Sequence, residues 1–316
     1  MSNTRIGVVM DPIESISPAK DSTLAMLLEA QKRGHECICF GQDDLRLDNG
    51  EAWGTGQQMT VFDHASRWFE RGKTADLRLS DLDAVLMRKD PPFDMEYIYT
   101  TYILERAELA GTLIVNKPSA LRDMNEKAYT AWFPECCPEG IITRSMQQMR
   151  EFLHQHEEIV VKPLDGMGGK SIFVIRIGDN NANVIFETLT NNETRFAIAQ
   201  KYIPEITKGD NRIILIGGRP AEYALARVPP DGDNRGNLVM GAQAEVRKLT
   251  QRELDICSQV GPVLNEKGVM FAGLDIIGDY LTEINVTSPT GIRELAKLAD
   301  LDLAKELFDE IDTALA

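Results

Sequence analysis

The stretch VVKPLDGMGGKS, residues 160–171, decides the fold. A β-branched run ends in Lys162 and Pro163, a glycine-rich loop follows from Asp165 to Gly169, and Ile172 to Ile177 is β-rich again. The pattern predicts strand, glycine loop, strand. Glycine lets a backbone approach an anion closely, and successive N–H groups in such a loop can point at phosphate oxygens. Lys162 adds a positive charge at the loop's edge. The stretch therefore reads as a nucleoside triphosphate site; a hairpin turn with spare glycines is the alternative. Gly169-Lys170-Ser171 ends like a Walker A motif, but that motif has Gly where Leu164 stands and a helix where Ile172 to Ile175 stands. A P-loop NTPase is excluded.

The 316 residues suit two domains, or three lobes, with ample core. A net charge of −15 argues against nucleic acid or a membrane surface as partner. Residues 160–250 carry 12 Lys/Arg against 10 Asp/Glu, a locally basic middle that suits a polyanion such as ATP. The apolar run Ile6 to Met10 is too short for a signal peptide core, and no stretch is long enough to span a bilayer. Five cysteines without zinc-type spacing read as free thiols of a reducing cytoplasm.

Along the chain, Arg5 to Met10 is an apolar strand of the kind buried on both faces of a parallel sheet. Asp21 caps a helix that Gly34 ends, and His35 to Phe40 completes a βαβ unit. Asp48-Asn49-Gly50 marks a tight hairpin, whereas residues 56–80 read as irregular. Asp83 to Met87 and Thr112 to Val115 are further strands, separated by a helix from Met95 to Ala110. Asn116-Lys117-Pro118 breaks the pattern, and Asn125 to Trp132 reads as a helix carrying Lys127. Ser145 caps a helix through His154. Strands are expected at Phe196 to Ile203, Arg212 to Ile216 and Glu222 to Arg227. Pro229 to Gly241 lacks apolar periodicity and is expected to be mobile. Thr250 and Glu253 form a capping box, and one acidic amphipathic helix runs from Leu295.

The second informative stretch is FAGLDIIGDYLTEINVTSPT, residues 271–290. Glu283 and Asn285 lie two apart on a strand and share a face. A two-residue turn at Gly278-Asp279 would set Asp275 opposite Thr282. A three-residue turn, Gly278 to Tyr280, would set Asp275 opposite Glu283, and that register is the one expected here. Like charges directly opposite are destabilising unless a cation lies between them. Two carboxylates and an amide oxygen, without His or Cys, suit Mg²⁺. The competing reading is a pair of solvated carboxylates at a sheet edge.

With these stretches placed, the chain resembles bacterial glutathione synthetases of the ATP-grasp superfamily over essentially its whole length. The resemblance is carried by VMDPI at 9–13, KDSTLAMLLEAQKRG at 20–34, LMRKDPPFD at 86–94, residues 102–127, KPLDGMGG at 162–169, and GLDIIGDYLTEINVTSPTGIRE at 273–294. It implies an α/β fold with α+β lobes: a Rossmann-like pre-ATP-grasp domain (1–122), a central lid (123–202) and a C-terminal ATP- and metal-binding lobe (203–316). By the same resemblance, Lys127 and Lys162 contact the phosphates of ATP, and Gly166, Met167, Gly168 and Gly169 cover them. Gln200, Lys201, Tyr202 and Ile203 line the adenine, and Asp210 meets the ribose. Asp275, Glu283 and Asn285 would hold Mg²⁺ or Mn²⁺. Arg212, Arg227 and Arg235 would stabilise phosphate charge, while Asp11, Lys20, Arg88, Ser288 and Thr290 would bind the peptide substrate. Without the resemblance, Arg88 would read as a surface ion pair and Lys20 as a solvated lysine, and Trp132 reads as core or lobe-interface packing. Gln243 stands where similar chains often have Arg.

The implied reaction joins γ-glutamylcysteine to glycine through an acylphosphate, giving glutathione, ADP and phosphate. The resemblance also implies a cytoplasmic homotetramer. Another ATP-grasp carboxylate–amine ligase shares the ATP site, and residues 9–34 and 86–94 are what favour the first activity. A non-catalytic ATP-binding module is disfavoured by the intact metal-ligand pattern.

Overall fold

The computed structural model describes residues 4–166, 169–228 and 243–316. Their strands form three sheets. The first comprises β1 (Arg5–Val9), β2 (Glu36–Phe40), β3 (Leu45–Asp48), β4 (Glu51–Val61), β5 (Phe69–Arg78), β6 (Ala84–Met87) and β7 (Leu113–Val115), in the order β3-β4-β2-β1-β6-β7 with β5 on β4. β2, β1, β6 and β7 run parallel. Alternate residues of β1 serve two cores. Ile6 and Val8 pack with Leu24 and Leu27 of α1 (Ser22–Lys32), and Val9 packs in the cluster of Tyr97 and Leu104 of α2 (Met95–Leu109). Asp21 caps α1, accepting a 2.6 Å bond from the Leu24 N–H.

Residues 56–80 are not irregular: β4 and β5 form a long antiparallel ribbon. The period of two is hidden because Gly54 and Gly56 occupy core-facing positions, where a Cβ would press on the Phe40 ring. β5 is solvent-exposed along most of its length and so carries no apolar alternation. Pro118 is also not a break. It stands in the first turn of α3 (Pro118–Asp123), where its missing N–H costs nothing. The helix expected from Asn125 is a short 3₁₀ turn, Ala128–Trp132. Trp132 lies outside the core, 66% exposed and stacked on Tyr129.

The second sheet is antiparallel: β8 (Gly140–Thr143), β9 (Glu158–Pro163), β10 (Phe173–Arg176) and β11 (Ala197–Lys201), in the order β10-β9-β11-β8. One face carries α4 (Met146–His156) and α5 (Ala182–Thr190). Ile159, Val161, Ala197 and Ala199 pack with Met149, Leu153, Phe186 and Leu189 into a core belonging to this sheet and its helices. The intervening side chains Val160, Lys162 and Gln200 face the other way, as period two requires.

The third sheet holds β12 (Asp210–Ile216), β13 (Arg219–Pro220), β14 (Tyr223–Val228), β15 (Gln243–Lys248), β16 (Phe271–Ile277) and β17 (Tyr280–Asn285), in the order β15-β14-β12-β16-β17 with β13 beside β12. The capping box of Thr250 and Glu253 starts α6 (Gln251–Glu266). The single C-terminal helix expected from the sequence is two, α7 (Ile292–Ala299) and α8 (Leu303–Leu315), because Asp300 takes a left-handed conformation at φ 56°.

The first and third sheets share both large cores: Val85 and Met87 sit in one cluster with Leu274 and Ile276, and Ile6 and Val8 in another with Ile214 and Phe271. Asn116, 4% exposed, ties the two sheets at their junction. Its Nδ2 donates to the carbonyls of Phe271 (2.6 Å) and Val286 (2.7 Å), and its Oδ1 accepts from the Phe271 N–H at 2.9 Å. Asn116→Ala strands three buried backbone groups. It is expected to cost about 3 kcal/mol, measured as a lowered urea midpoint.

Candidate active site

A cleft of about 750 Å³ lies among the three sheets. It gathers most of the residues singled out from the sequence. Val160, Val174, Ile203, Leu225 and Ile277 form an apolar stretch of its wall, with Gln200, Lys201, Tyr202 and Asp210 beside it. Lys127, Lys162, Gly166, Gly169, Arg212, Arg227, Asp275, Glu283 and Asn285 line the charged part. Asp11, Lys20, Ser288 and Thr290 line it as well, with contributions from the first lobe and from the loop after β17. Arg235, Met167 and Gly168 lie outside the described residues, as do the segment expected to be mobile and the Gln243 side chain.

The charged part is built on strand pairing. In β16 and β17, Asp275 stands opposite Glu283 and Gly273 opposite Asn285. That is the register expected, but not by the expected turn. Ile277 pairs with Tyr280 across a two-residue turn, Gly278-Asp279, and a β-bulge between Asp275 and Ile276 absorbs Thr282 as the extra residue. The Thr282 hydroxyl donates to the Asp275 carbonyl at 3.0 Å. A bulge of this kind leaves the turn residues unchanged, so the sequence carried no sign of it.

Cations from neighbouring strands meet these carboxylates. Arg212 lies opposite Asp275 across β12 and β16 and binds it through Nε and Nη2, the latter at 2.8 Å. Arg227 Nη2 reaches Asp275 Oδ2 at 2.9 Å and Asp210 Oδ2 at 2.6 Å. Burial by itself would raise the Asp275 pKa, but the two guanidiniums outweigh it and hold the carboxyl below its usual range. At Asp210 burial wins and the pKa is raised, with Arg227 opposing it. Asp210 Oδ1 is buried without a hydrogen-bond partner. On the facing side, Lys127 and Lys162 each place Nζ 3.6 Å from Glu283 Oε1. Burial would lower the Lys127 pKa, yet Glu283 and Glu126 raise it.

Asp275, Glu283 and Asn285 carry the hard oxygen donors that suit Mg²⁺ in chemistry; here Asp275 is engaged by Arg212 and Arg227, and Asn285 turns its Nδ2 to Asp275 Oδ2 at 3.3 Å, so holding an ion means redirecting both side chains. The three are too few to complete its coordination alone, so such an ion would share phosphate and water. Gly166 has no room for a side chain: a Cβ there would come 2.6 Å from Pro163 Cγ.

At the other end, Asp11 pairs with Lys89 at 2.8 Å and accepts the Asp90 N–H at 3.0 Å. Arg88 is not a surface ion pair. It is buried, lies over the Phe271 ring, and donates to Thr23 Oγ1 (3.2 Å) and the Pro289 carbonyl (3.0 Å), leaving Nη1 without a partner. Burial lowers its pKa. Arg88 stands behind the cleft wall rather than on it. Sequence reasoning missed Glu126 and Glu294, which also line the cleft. Glu126 is bonded to Lys127, and burial followed by Glu283 raises its pKa. Its place beside Lys127 in the chain was the available signal.

A four- and a six-stranded β-lobe closing on one charged cleft, behind a parallel-sheet domain, define an ATP-grasp ligase. The solved structure of D-cycloserine synthetase DcsG has this fold (TM-score 0.69, 15% identity, covering 98% of this chain and 100% of that one), as does ATP-grasp ligase PsnB with its minimal precursor (0.64, 17%, 99% and 100%). Residues 126–300 match the family described as prokaryotic glutathione synthetase, ATP-grasp domain, and residues 4–122 its N-terminal domain. Glutathione synthetase of Escherichia coli (strain K12) is 52% identical over 311 residues, covering 98% of each chain. That of Salmonella typhimurium (strain LT2) is 51% identical over 312 residues, 99% of each. The chain belongs to the prokaryotic glutathione synthetases, ligases that form a peptide bond at the expense of ATP. Its substrates are small molecules, and the family works with ATP and a divalent metal ion.

Asp275→Asn removes the shared anion of two buried guanidiniums. It is expected to destabilise the protein by about 3 kcal/mol, while Glu283→Gln costs less, because Glu283 is more exposed than Asp275 and its loss also relieves their mutual repulsion. Denaturant titration of both variants checks the difference.

Proposed function

We propose that the cleft performs glutathione synthesis with the following division of labour. The cysteinyl carboxylate of γ-glutamylcysteine attacks the γ-phosphorus of ATP, and ADP leaves. The glycine amine then attacks the carbonyl carbon of the acylphosphate, phosphate leaves, and the amine proton passes to solvent. Lys127 and Lys162 neutralise the transferring phosphate, and Arg212 and Arg227 its developing charge. The apolar wall of Val160, Val174, Leu225 and Ile277 receives the adenine beside Gln200 to Ile203, and the free Asp210 Oδ1 accepts from the ribose. Asp11, Lys20, Ser288 and Thr290 bind the dipeptide, with Arg88 holding the wall behind them. Asp275, Glu283 and Asn285 hold Mg²⁺, which Mn²⁺ can replace; when bound, it neutralises phosphate charge. The glycine-rich segment from Gly166 to Gly169, with Arg235, belongs to the phosphate enclosure, since an acylphosphate must be kept from water.

The observation that carries this reading is the opposed pair Asp275–Glu283 flanked by two lysines and two arginines at one end of an apolar cleft. The reading includes three functional lobes, 1–122, 123–202 and 203–316. It also includes a homotetramer, checked by light scattering, and a cytoplasmic location, which the five free thiols suit.

Phosphate release by purified protein with ATP, Mg²⁺, γ-glutamylcysteine and glycine is expected, and no release until another acceptor replaces glycine would overturn the substrate assignment. Glu283→Gln is expected to lower kcat at least about 100-fold with a nearly unchanged melting temperature. An unchanged rate would remove Glu283 from the metal site.

A further inference from the structure

Asn125 does something beside this cleft that neither its sequence neighbours nor the reaction assigns to it. Its Oδ1 accepts from the backbone N–H groups of Lys127 (3.1 Å) and Ala128 (2.9 Å), which fixes the turn that carries the Lys127 side chain. Its Nδ2 donates to the Leu164 carbonyl at 3.0 Å, at the foot of the glycine-rich loop. Two residues further along both segments, Lys127 Nζ donates to the Gly166 carbonyl at 2.6 Å. The segment 125–127 thus grips the segment 164–166 at two matched points.

The two grips differ in kind. Lys127 Nζ has three N–H donors, and Glu126, Glu283 and Gly166 already compete for them. An arriving phosphate competes for the same donors, so the Lys127–Gly166 bond is exchangeable. The Asn125–Leu164 bond is between neutral groups and stays when charges are redistributed. It also sits where all three lobes meet. A crevice of about 20 Å³ beside it is lined by Pro91 and Phe93 of the first lobe, Leu164 and Asp165 of the second, and Val286 and Thr287 of the third.

We propose that Asn125 is a positioning residue: it holds the segment 164–166 in register with the turn that carries Lys127, so that the Lys127 ammonium keeps its aim into the cleft while it changes partners. The inference rests on Lys127 being a phosphate contact, as in the proposed function.

Asn125→Asp separates the two functions of the side chain. It keeps an oxygen for the Lys127 and Ala128 N–H groups but sets a carboxylate oxygen against the Leu164 carbonyl. Asn125→Ser keeps the acceptor and removes the reach to Leu164 without repulsion. Both variants are expected to melt close to the unaltered protein, to lose about five- to tenfold in kcat/KM for ATP, and to keep their KM for γ-glutamylcysteine. Both should also release more ADP than glutathione formed, because an acylphosphate no longer held by a correctly aimed Lys127 is lost to water before glycine attacks. Unchanged ATP kinetics and one ADP per glutathione in both variants overturn the proposal. So does a loss of stability with that ratio still at one, which is the mark of a purely structural residue. Lys127→Met is the control: if it leaves ATP kinetics intact, the phosphate assignment of Lys127 fails instead.

Discussion

Two carboxylates set opposite each other on paired strands are the constraint around which the cleft is arranged. Asp275 and Glu283 would repel across β16 and β17 if nothing lay between or beside them. Each is met by a different pair of cations. Asp275, buried, takes Arg212 and Arg227 from the strands beyond it in the same sheet, whereas Glu283, half-open to the cleft, faces Lys127 and Lys162 from outside that sheet. The difference matters for chemistry. A bidentate, buried Arg–carboxylate pair is held in place, while a lysine 3.6 Å from a carboxylate is free to turn to a phosphate.

The rest of the fold brings these charges together from segments far apart in the chain. Period two in β9 sends Ile159 and Val161 into the core of the second lobe and Val160 and Lys162 to the cleft. Asn116 locks the start of β16 and the end of β17 to the first sheet. The loop after β17, with Ser288 and Thr290, therefore stands at a set distance from the hairpin that carries Asp275 and Glu283. Because the second lobe has its own core while the first and third share two, Lys162 is carried on a body packed separately from Glu283.

Elements with local chemistry were legible. Asp21 and Thr250 cap their helices as read, since a side-chain oxygen within three residues of a free N–H needs no tertiary context. The β4–β5 ribbon was not legible, because two glycines replace its inward side chains and β5 faces solvent. Nor was the break at Asp300, where an ordinary-looking residue takes a left-handed turn between two amphipathic helices. In the site, the facing of Asp275 and Glu283 was anticipated, but its cause was a bulge rather than a longer turn.

By itself the sequence determined which chemical groups are available: a glycine loop after Lys162, two carboxylates and an amide on a core hairpin, and the segments that carry the family resemblance. These are set by residue identity and short spacing. Only the tertiary structure decided how the groups are shared. It put Arg88 behind the cleft wall instead of on the surface, gave Asp275 to the arginines and Glu283 to the lysines, and joined Asn125 to Leu164. Burial and partner distance control those allocations, and both depend on residues separated by tens to hundreds of positions along the chain.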